Sequence, residues 1–306
     1  KEGHMNDHAA PRSNDFNNND LAKPMYYATN LYSNGKLITN LVIPNYVKEI
    51  KGYSFYNCSC FTSVEIPSSV TSIGQYAFKG CEGLTSVVIP NSVTNIGMCV
   101  FRDCINLTSV KFSNCITSIA YHGFSGCSNL TSVKIPNSVT TIEGYAFGYC
   151  DNLASIEIPN SVTSIGTYAF ASCSVTSIDI PNSVEYVQKY AFNNCTNLKK
   201  VYISSSIKVI GDYAFAKCGN ISEVKIGSNE TTTITASSNI FSDIYSKAAL
   251  YVPLGCKNKY EGISPWNKFH NIVEMDYTDI DEIKFEDENG KKKNIYDLNG
   301  RVVVNP

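Results

Sequence analysis

Apolar and polar residues alternate in short stretches along most of the chain, and the stretches recur at a regular spacing. In LTSVVIP (84–90) and LTSVKIP (130–136), the alternation is typical of a short β-strand with one buried face. The proline lacks a backbone N–H and predicts the end of the strand. The SVTSIG segment that follows places Val and Ile inward again, and its glycine is expected to permit the bend that turns the chain back.

A phenylalanine marks the period of the pattern. It recurs every 23 residues, with one step of 22, and a cysteine follows each phenylalanine by three residues. The pairs are Phe55 and Cys58, Phe78 and Cys81, Phe101 and Cys104, Phe124 and Cys127, Phe147 and Cys150, Phe170 and Cys173, Phe192 and Cys195, and Phe215 and Cys218. One such unit cannot bury its own apolar face, so the repeat predicts a solenoid in which equivalent side chains form columns. Since neighbouring strands lie about 4.8 Å apart, nine or ten coils would extend about 45 Å.

The consensus IPxSVTxIGxYAFxxCxxLTSV resembles the 23-residue leucine-rich repeat of the BspA-like family of surface proteins, from roughly residue 38 to residue 275. The resemblance implies a β-rich leucine-rich-repeat arc of about nine to ten stacked short-strand coils with atypical capping ends. It also implies a noncatalytic cell-surface or secreted bacterial protein with a role in recognition or adhesion. The implied partner is a host matrix protein or another cell surface.

Changes in composition divide the chain into three parts. Residues 1–24 are polar and predict a disordered or artificially added segment, in which Gly3-His4-Met5 is typical of a cloning sequence that would have replaced an export signal. Residues 25–275 form the predicted solenoid, with an N-terminal cap at the hairpin signal Asn34-Gly35 and a C-terminal cap near Trp266, the sole tryptophan. Residues 276–306 predict a small β tail with turns at Asn289-Gly290 and Asn299-Gly300. The tail is similar to the start of a sorting or anchoring module, and the resemblance implies truncation at Pro306.

Charge and motifs exclude several functional classes. The net charge is −2 at pH 7 with Lys and Arg scattered, which argues against a nucleic acid partner. No run of 18 apolar residues is present in the sequence, so no transmembrane segment is predicted. The sequence contains no glycine-rich phosphate loop and no EF-hand spacing, and neither a cofactor nor a metal is expected.

The twelve cysteines and four histidines are the candidates for chemistry. Eight cysteines belong to the repeat and are expected to be small buried apolar groups, and no C-x-x-C pair provides zinc spacing. The remaining four, Cys60, Cys99, Cys115 and Cys256, are better candidates for a reactive thiol. No spacing brings a histidine to a shared nucleophile, so the chain is not expected to be an enzyme.

Function is expected where packing does not dictate the residue. The outward position between the two inward residues of each strand forms one row: Val42, Glu65, Val88, Lys111, Lys134, Glu157, Asp179, Tyr202 and Lys225. In leucine-rich repeat solenoids this face is usually the concave, ligand-facing side. Beside the row lies a row of serines that changes to Lys200 and Glu223 near its C-terminal end, where a contact patch around Tyr202 is one hypothesis. Charges that merely keep an exposed sheet soluble are the alternative.

A second repeated feature supports a different function. Tyrosines two residues before the column phenylalanines have rings that, lying flat on the surface, would form a ladder for stacking glycans; the alternative is packing at the edge of the core. They are Tyr53, Tyr76, Tyr145, Tyr168, Tyr190 and Tyr213. A glycan-binding module and a purely structural spacer within a larger surface protein therefore remain alternatives to protein recognition.

Overall fold

The computed structural model describes residues 30–229, 234–237 and 239–276, and the backbone of residues 295–296 and 302–303. The repeats form a β-solenoid of about ten stacked coils, which confirms the predicted fold. Each coil contributes one strand to a front face, so called because it displays the outward row, and nearly every coil contributes a shorter strand to a side face. A turn carrying the phenylalanine and cysteine closes the coil. The predicted N-terminal segment 1–24 lies outside the described residues.

The front face consists of parallel strands in register. Its inward residues are mostly buried, while outward residues alternate with them and contact solvent. The strands are β3 (Asn40–Val42), β5 (Ser63–Glu65), β7 (Ser86–Val88), β9 (Ser109–Lys111), β11 (Ser132–Lys134), β13 (Ser155–Glu157), β15 (Ser177–Ile180), β17 (Lys200–Ile203), β19 (Glu223–Ile226), β21 (Ala249–Pro253) and β22 (Asn271–Met275).

The side face consists of two-residue parallel strands whose second residue generally points inward. These strands are β4 (Glu49–Ile50), β6 (Ser72–Ile73), β8 (Asn95–Ile96), β10 (Ser118–Ile119), β12 (Thr141–Ile142), β14 (Ser164–Ile165), β16 (Tyr186–Val187), β18 (Val209–Ile210) and β20 (Thr235–Ala236).

The ladder of hydrogen bonds is interrupted at particular coils. The front face divides after β9 and after β13, and the side face divides after β8. The coil that carries β9 and β10 departs most from the repeat, because Phe112 and Ser113 replace the usual Ile and Pro. Ser113 is fully buried, and its hydroxyl donates to the carbonyl oxygen of Val93 in the preceding coil at 2.7 Å. A local hydrogen bond thus accompanies the loss of the repeat proline.

The phenylalanines stack along the interior as one continuous column. Ring centroids of successive members lie 5.1–5.6 Å apart, with interplanar angles of 2–19°. The column passes through the 22-residue step to Phe192 and then extends to Phe241, 26 residues after Phe215. The insertion therefore lengthens the coil without displacing its aromatic ring from the axis.

The repeat glycines act differently from the prediction. Gly74, Gly97, Gly166 and Gly211 do not have a left-handed φ, so they do not provide a special bend. They permit close packing instead: a Cβ atom on Gly166 would lie 2.5 Å from the backbone nitrogen of Gly144 in the preceding coil.

Left-handed φ belongs instead to the tyrosine position. Its φ values lie between 53° and 63° in eight successive coils, at a cost that non-glycine residues ordinarily avoid. The residues at this position are Tyr53, Tyr76, Cys99, His122, Tyr145, Tyr168, Tyr190 and Tyr213.

Each end of the solenoid carries a segment that departs from the repeat. The N-terminal cap contains the hairpin of β1 (Tyr32–Ser33) and β2 (Lys36–Leu37) around the predicted Asn-Gly turn. The C-terminal cap contains helix α1 (Lys257–Glu261) and a 3₁₀ turn (Trp266–Lys268). Trp266 is 1% exposed and packs 6.3 Å from Phe241, between ring centroids, so it covers the last ring of the column.

In the tail, strands β23 (Ile295–Tyr296) and β24 (Val302–Val303) pair antiparallel. The predicted turn at Asn299-Gly300 is not among the described residues. The second predicted turn, at Asn289-Gly290, lies outside the described residues.

Candidate functional site

The outward row of the front face, which we call the central row, contains the residues that the sequence singles out. Glu65, Lys111, Lys134, Glu157 and Asp179 are exposed. Several neighbours in the row meet in strand register, for example Lys134 with Glu157 and Asp179 with Tyr202. The breaks in the ladder separate Lys111 from Lys134 and Glu157 from Asp179. The structure therefore brings residues that are far apart in sequence into one line, one residue per coil.

Two valines give the N-terminal half of the central row an apolar character. Val42 and Val88 are 54% and 55% exposed, although valine is a residue type that usually lies inside. Between them Glu65 accepts a hydrogen bond from the side-chain amide of Asn40 at 2.8 Å.

The C-terminal half contains a cluster of paired charges. The carboxylate of Glu223 forms ion pairs with the ammonium groups of Lys200 at 3.5 Å and Lys225 at 3.1 Å. The Lys225 ammonium also lies 5.9 Å from the centroid of the Tyr251 ring. Lys200 and Glu223 belong to the flanking row beside the central row. Lys200 and Glu223 neutralise each other, and Lys225 leaves this cluster with one net positive charge.

Tyr251 continues the central row, and the sequence reasoning missed it. It pairs in register with Lys225 on one side and with Val273 on the other. The signal was present in the sequence: counting 26 residues from Lys225, the length of the enlarged coil, reaches Tyr251.

Tyr202 is half-buried and does not stand free as the contact-patch hypothesis assumed. Its hydroxyl is buried and makes no hydrogen bond with the residues that the structure describes. Burial raises the pKa of the hydroxyl, and the nearby charge of Asp179 raises it further. The ring thus lies partly in the sheet surface, with an unsatisfied donor beside Asp179.

The middle of the central row contains four charges of a different kind. Within the described ranges, Lys111, Lys134, Glu157 and Asp179 form no ion pair, although Lys134 and Glu157 are in direct register. Partial desolvation raises the pKa of Asp179, and the charge of Lys225 opposes that rise. These four side chains remain available to an external partner.

The tyrosine column does not lie flat on the surface. Five rings stack face to face, with centroids 4.3–5.1 Å apart, from His122 to Tyr213. Each inner ring covers the face of its neighbours, so edges and hydroxyls remain for solvent. A sugar ring stacks on a free aromatic face, and such faces are occupied within this stack.

The column cysteines have a polar contact that the sequence did not predict. From Cys81 to Cys218, each column thiol donates to the carbonyl oxygen of the phenylalanine in the preceding coil, at 3.0–3.2 Å. Burial raises the pKa of Cys58 to about 12, and it also raises the pKa of Cys81, Cys127 and Cys150 well above the usual value of a thiol. All twelve cysteines are free thiols.

The four cysteines outside the column differ among themselves. Cys115 is exposed and Cys60 is half-buried, whereas Cys99 and Cys256 are 2% and 5% exposed. The burial of Cys99 at the tyrosine position and of Cys256 in the C-terminal cap argues against reactivity of these two thiols. No group of three His, Cys, Asp or Glu residues suited to a metal ion occurs in the described part of the chain.

Across the same residues, the structure contains no helix with the length and apolar character needed to cross a bilayer. His270 is exposed in the C-terminal cap, and His4 and His8 lie outside the described residues.

Comparisons with known proteins identify relatives of this arrangement. The family model described as the BspA type leucine rich repeat region matches six copies, over residues 27–133 and 117–247. A leucine-rich repeat protein from Bacteroides ovatus is 25% identical, with a TM-score of 0.55; the alignment covers 77% of this chain and 72% of that one. A comparison with curated protein sequences gives no significant match.

Two further crystal structures are more distant in shape. A leucine-rich repeat protein from Eubacterium ventriosum is 30% identical, with a TM-score of 0.49 and coverage of 53% of this chain and 44% of that one. A leucine rich cell surface protein from Faecalibacterium prausnitzii is 24% identical, with a TM-score of 0.33 and coverage of 78% and 88%.

Proposed function

Because the chain belongs to the BspA-type leucine-rich repeat family, we propose that it is a noncatalytic recognition protein of the cell surface or of secreted material. Its front face binds a macromolecular partner, either a host matrix protein or another cell surface. The observation that supports this role is the contrast between the two sides of each front strand. Inward residues repeat from coil to coil, whereas the central row presents two half-exposed valines and four charges that form no ion pair with the residues the structure describes.

A pair of matched substitutions tests the role of the front face. Val88→Arg places a cation on the central row, and Met98→Arg places the same group at an exposed position outside the front strands; the two side chains are 55% and 44% exposed. Binding to immobilised matrix proteins and to whole cells is expected to fall at least tenfold with Val88→Arg only. Equal binding by both variants overturns the assignment to the front face.

A glycan-binding module is the second candidate. A hollow of about 360 Å³ beside the tyrosine column is lined by Tyr168, Tyr190 and Tyr213, with Asn193 and Asp243 among its polar groups. Hydroxyl, amide and carboxylate groups suit sugar hydroxyls through hydrogen bonds. Asn193→Ala would then abolish retention on a glycan array while Val88→Arg would leave it intact.

A further inference from the structure

The order of residue types along the central row, taken from coil to coil, forms a regular pattern. From the first coil to the tenth it runs Val42, Glu65, Val88, Lys111, Lys134, Glu157, Asp179, Tyr202, Lys225 and Tyr251. The last front strand adds Val273 beyond Tyr251, outside these ten positions. The middle four charges are two cations followed by two anions. Apolar residues and one charge of the opposite sign flank them on each side.

This order is complementary to its own reverse. Read from the centre outwards, Lys134 stands against Glu157, Lys111 against Asp179, and Val88 against Tyr202. The outer positions continue the rule, since Glu65 stands against Lys225 and Val42 against Tyr251. Every charge thus meets an opposite charge, and every apolar or aromatic residue meets another.

We propose that the front face binds a second copy of this chain, in a two-fold arrangement with the axis along the strands between β11 and β13. Such an axis reverses the order of the coils and keeps the central row opposite the central row. A two-fold interface uses the same patch on both copies, so a patch must be complementary to itself. This inference names the partner of the front face and rests on the function proposed above.

The register of the two copies follows from the charges. A shift by one coil in either direction places Lys134 against Lys134 or Glu157 against Glu157, and like charges in contact cost free energy. The proposed register has no like-charge contact along the row. It also supplies partners to Lys111, Lys134, Glu157 and Asp179, which form no ion pair within the described part of a single copy.

The flanking row leaves room for this contact. On the N-terminal side it consists of serines, among them Ser63 and Ser86. In the proposed arrangement these small residues face Glu223 and Lys200 of the other copy, which are already paired with each other at 3.5 Å. No bulky residue of the flanking row therefore meets another across the two-fold axis.

The proposed interface is small. Ten coils at about 4.8 Å and a width of about 10 Å give about 480 Å² per copy. Standard interfaces bury about 800 Å² per partner. The dimer in solution is expected to be weak, with a dissociation constant in the micromolar range or above. Many copies on apposed surfaces would bind far more strongly through avidity.

Charge-reversed variants test the proposal. Lys111→Glu with Lys134→Glu makes the four middle charges negative, and Glu157→Lys with Asp179→Lys makes them positive. Sedimentation velocity from about 1 to about 500 μM, a range that spans weak interfaces, is expected to show dimers for the wild type and monomers for each variant alone. An equimolar mixture of the two variants is expected to form a one-to-one dimer at least tenfold tighter than either variant forms with itself.

The control is Lys48→Glu with Lys51→Glu, which makes the same change of charge at exposed positions outside the central row. It is expected to dimerise as the wild type does, and circular dichroism melts verify that every variant is folded. A wild type that stays monomeric, or a mixture that does not associate, overturns the pairing. Loss of binding to a matrix protein by Val88→Arg in that situation would leave the proposed recognition function standing.

Discussion

The thiol of Cys150 donates a hydrogen bond to the carbonyl oxygen of Phe124 in the preceding coil, with 3.2 Å between sulfur and oxygen. The same oxygen also accepts the backbone N–H of Cys127 at 3.2 Å. The column cysteine is therefore both a filler of apolar space and a polar link between coils. An ordinary small apolar residue would supply only the first of these.

Substitution of Cys150 separates the two contributions. Cys150→Ala is expected to lower the free energy of unfolding by about 1–2 kcal/mol, through a small cavity and the lost donor. Cys150→Ser keeps a hydrogen-bond donor, so its free energy of unfolding is expected to fall less than that of Cys150→Ala. Urea unfolding under reducing conditions measures both. If the position served apolar packing alone, serine would be the more damaging of the two.

Thiol reactivity is the second prediction. Cys115 is exposed and is expected to be alkylated first, with Cys60 slower. Burial raises the pKa of Cys58 to about 12 and also raises the pKa of Cys81, Cys127 and Cys150, so at neutral pH these thiols lack the reactive thiolate. Mass spectrometry of the folded protein after brief alkylation is expected to find modification mainly at Cys115. Modification of Cys150 at the same rate would contradict the described packing.

Glycine substitutions test the close packing of adjacent coils. Gly166→Ala would place a methyl group 2.5 Å from the backbone nitrogen of Gly144, and a backbone atom cannot move aside. We expect destabilisation of about 1–3 kcal/mol, the usual cost of overpacking. Gly219→Ala is the matched control because nothing lies within 4 Å of its added Cβ atom. Equal melting temperatures for the two variants would show that the coils separate more easily than the structure implies.

His122 predicts a dependence of stability on pH. It occupies the tyrosine position, stacks on Tyr145 at 4.3 Å, and has a buried Nδ1 without a hydrogen-bond partner in the described part of the chain. Desolvation lowers its pKa and the charge of Arg102 lowers it further, while Asp103 opposes the change. The folded state thus favours the neutral ring, and this stabilising contribution is present above the unfolded pKa of about 6.5.

Stability is expected to fall as the pH drops from about 6.5 through the lowered folded pKa. His122→Tyr restores the usual residue of the repeat and removes the titrating group. The melting temperatures of the two proteins are expected to diverge between about pH 7.5 and about pH 5. The melting temperature of the wild type is expected to fall more than that of the variant at the acidic end. Parallel curves for the two proteins would exclude His122 as the cause.

The sequence predicts much of this fold because packing imposes it once per coil. Phe147 and Val133 recur in equivalent form in neighbouring coils, and a residue that must fill the same space each time leaves a visible period. The exposed positions of Lys134 and Glu157 follow from the same alternation. These predictions needed only the pattern of burial.

Other features depend on contacts between coils, which the period does not reveal. The sequence predicts that Cys150 acts as a small apolar residue. Its hydrogen bond to the carbonyl of the neighbouring coil becomes apparent only in the structure. The sequence predicts that Gly166 permits a bend. The structure shows instead that the backbone of the preceding coil occupies the space that a Cβ atom would need. The place of Tyr251 in the central row was not predicted because the enlarged coil interrupts the spacing. The burial of Cys99 was not predicted because this residue replaces a tyrosine within a packed stack.

The phenylalanine column keeps its axis through the 22-residue step before Phe192 and the 26-residue step before Phe241. A gene that encodes such units can shorten or lengthen by unequal recombination, because a duplicated unit presents the same ring and the same thiol to either neighbour. Imprecise joints are absorbed in the loops. Variation in this protein is therefore expected to arise from changes in the number of repeats and from substitutions at a few exposed positions. The buried scaffold is expected to be copied by duplication.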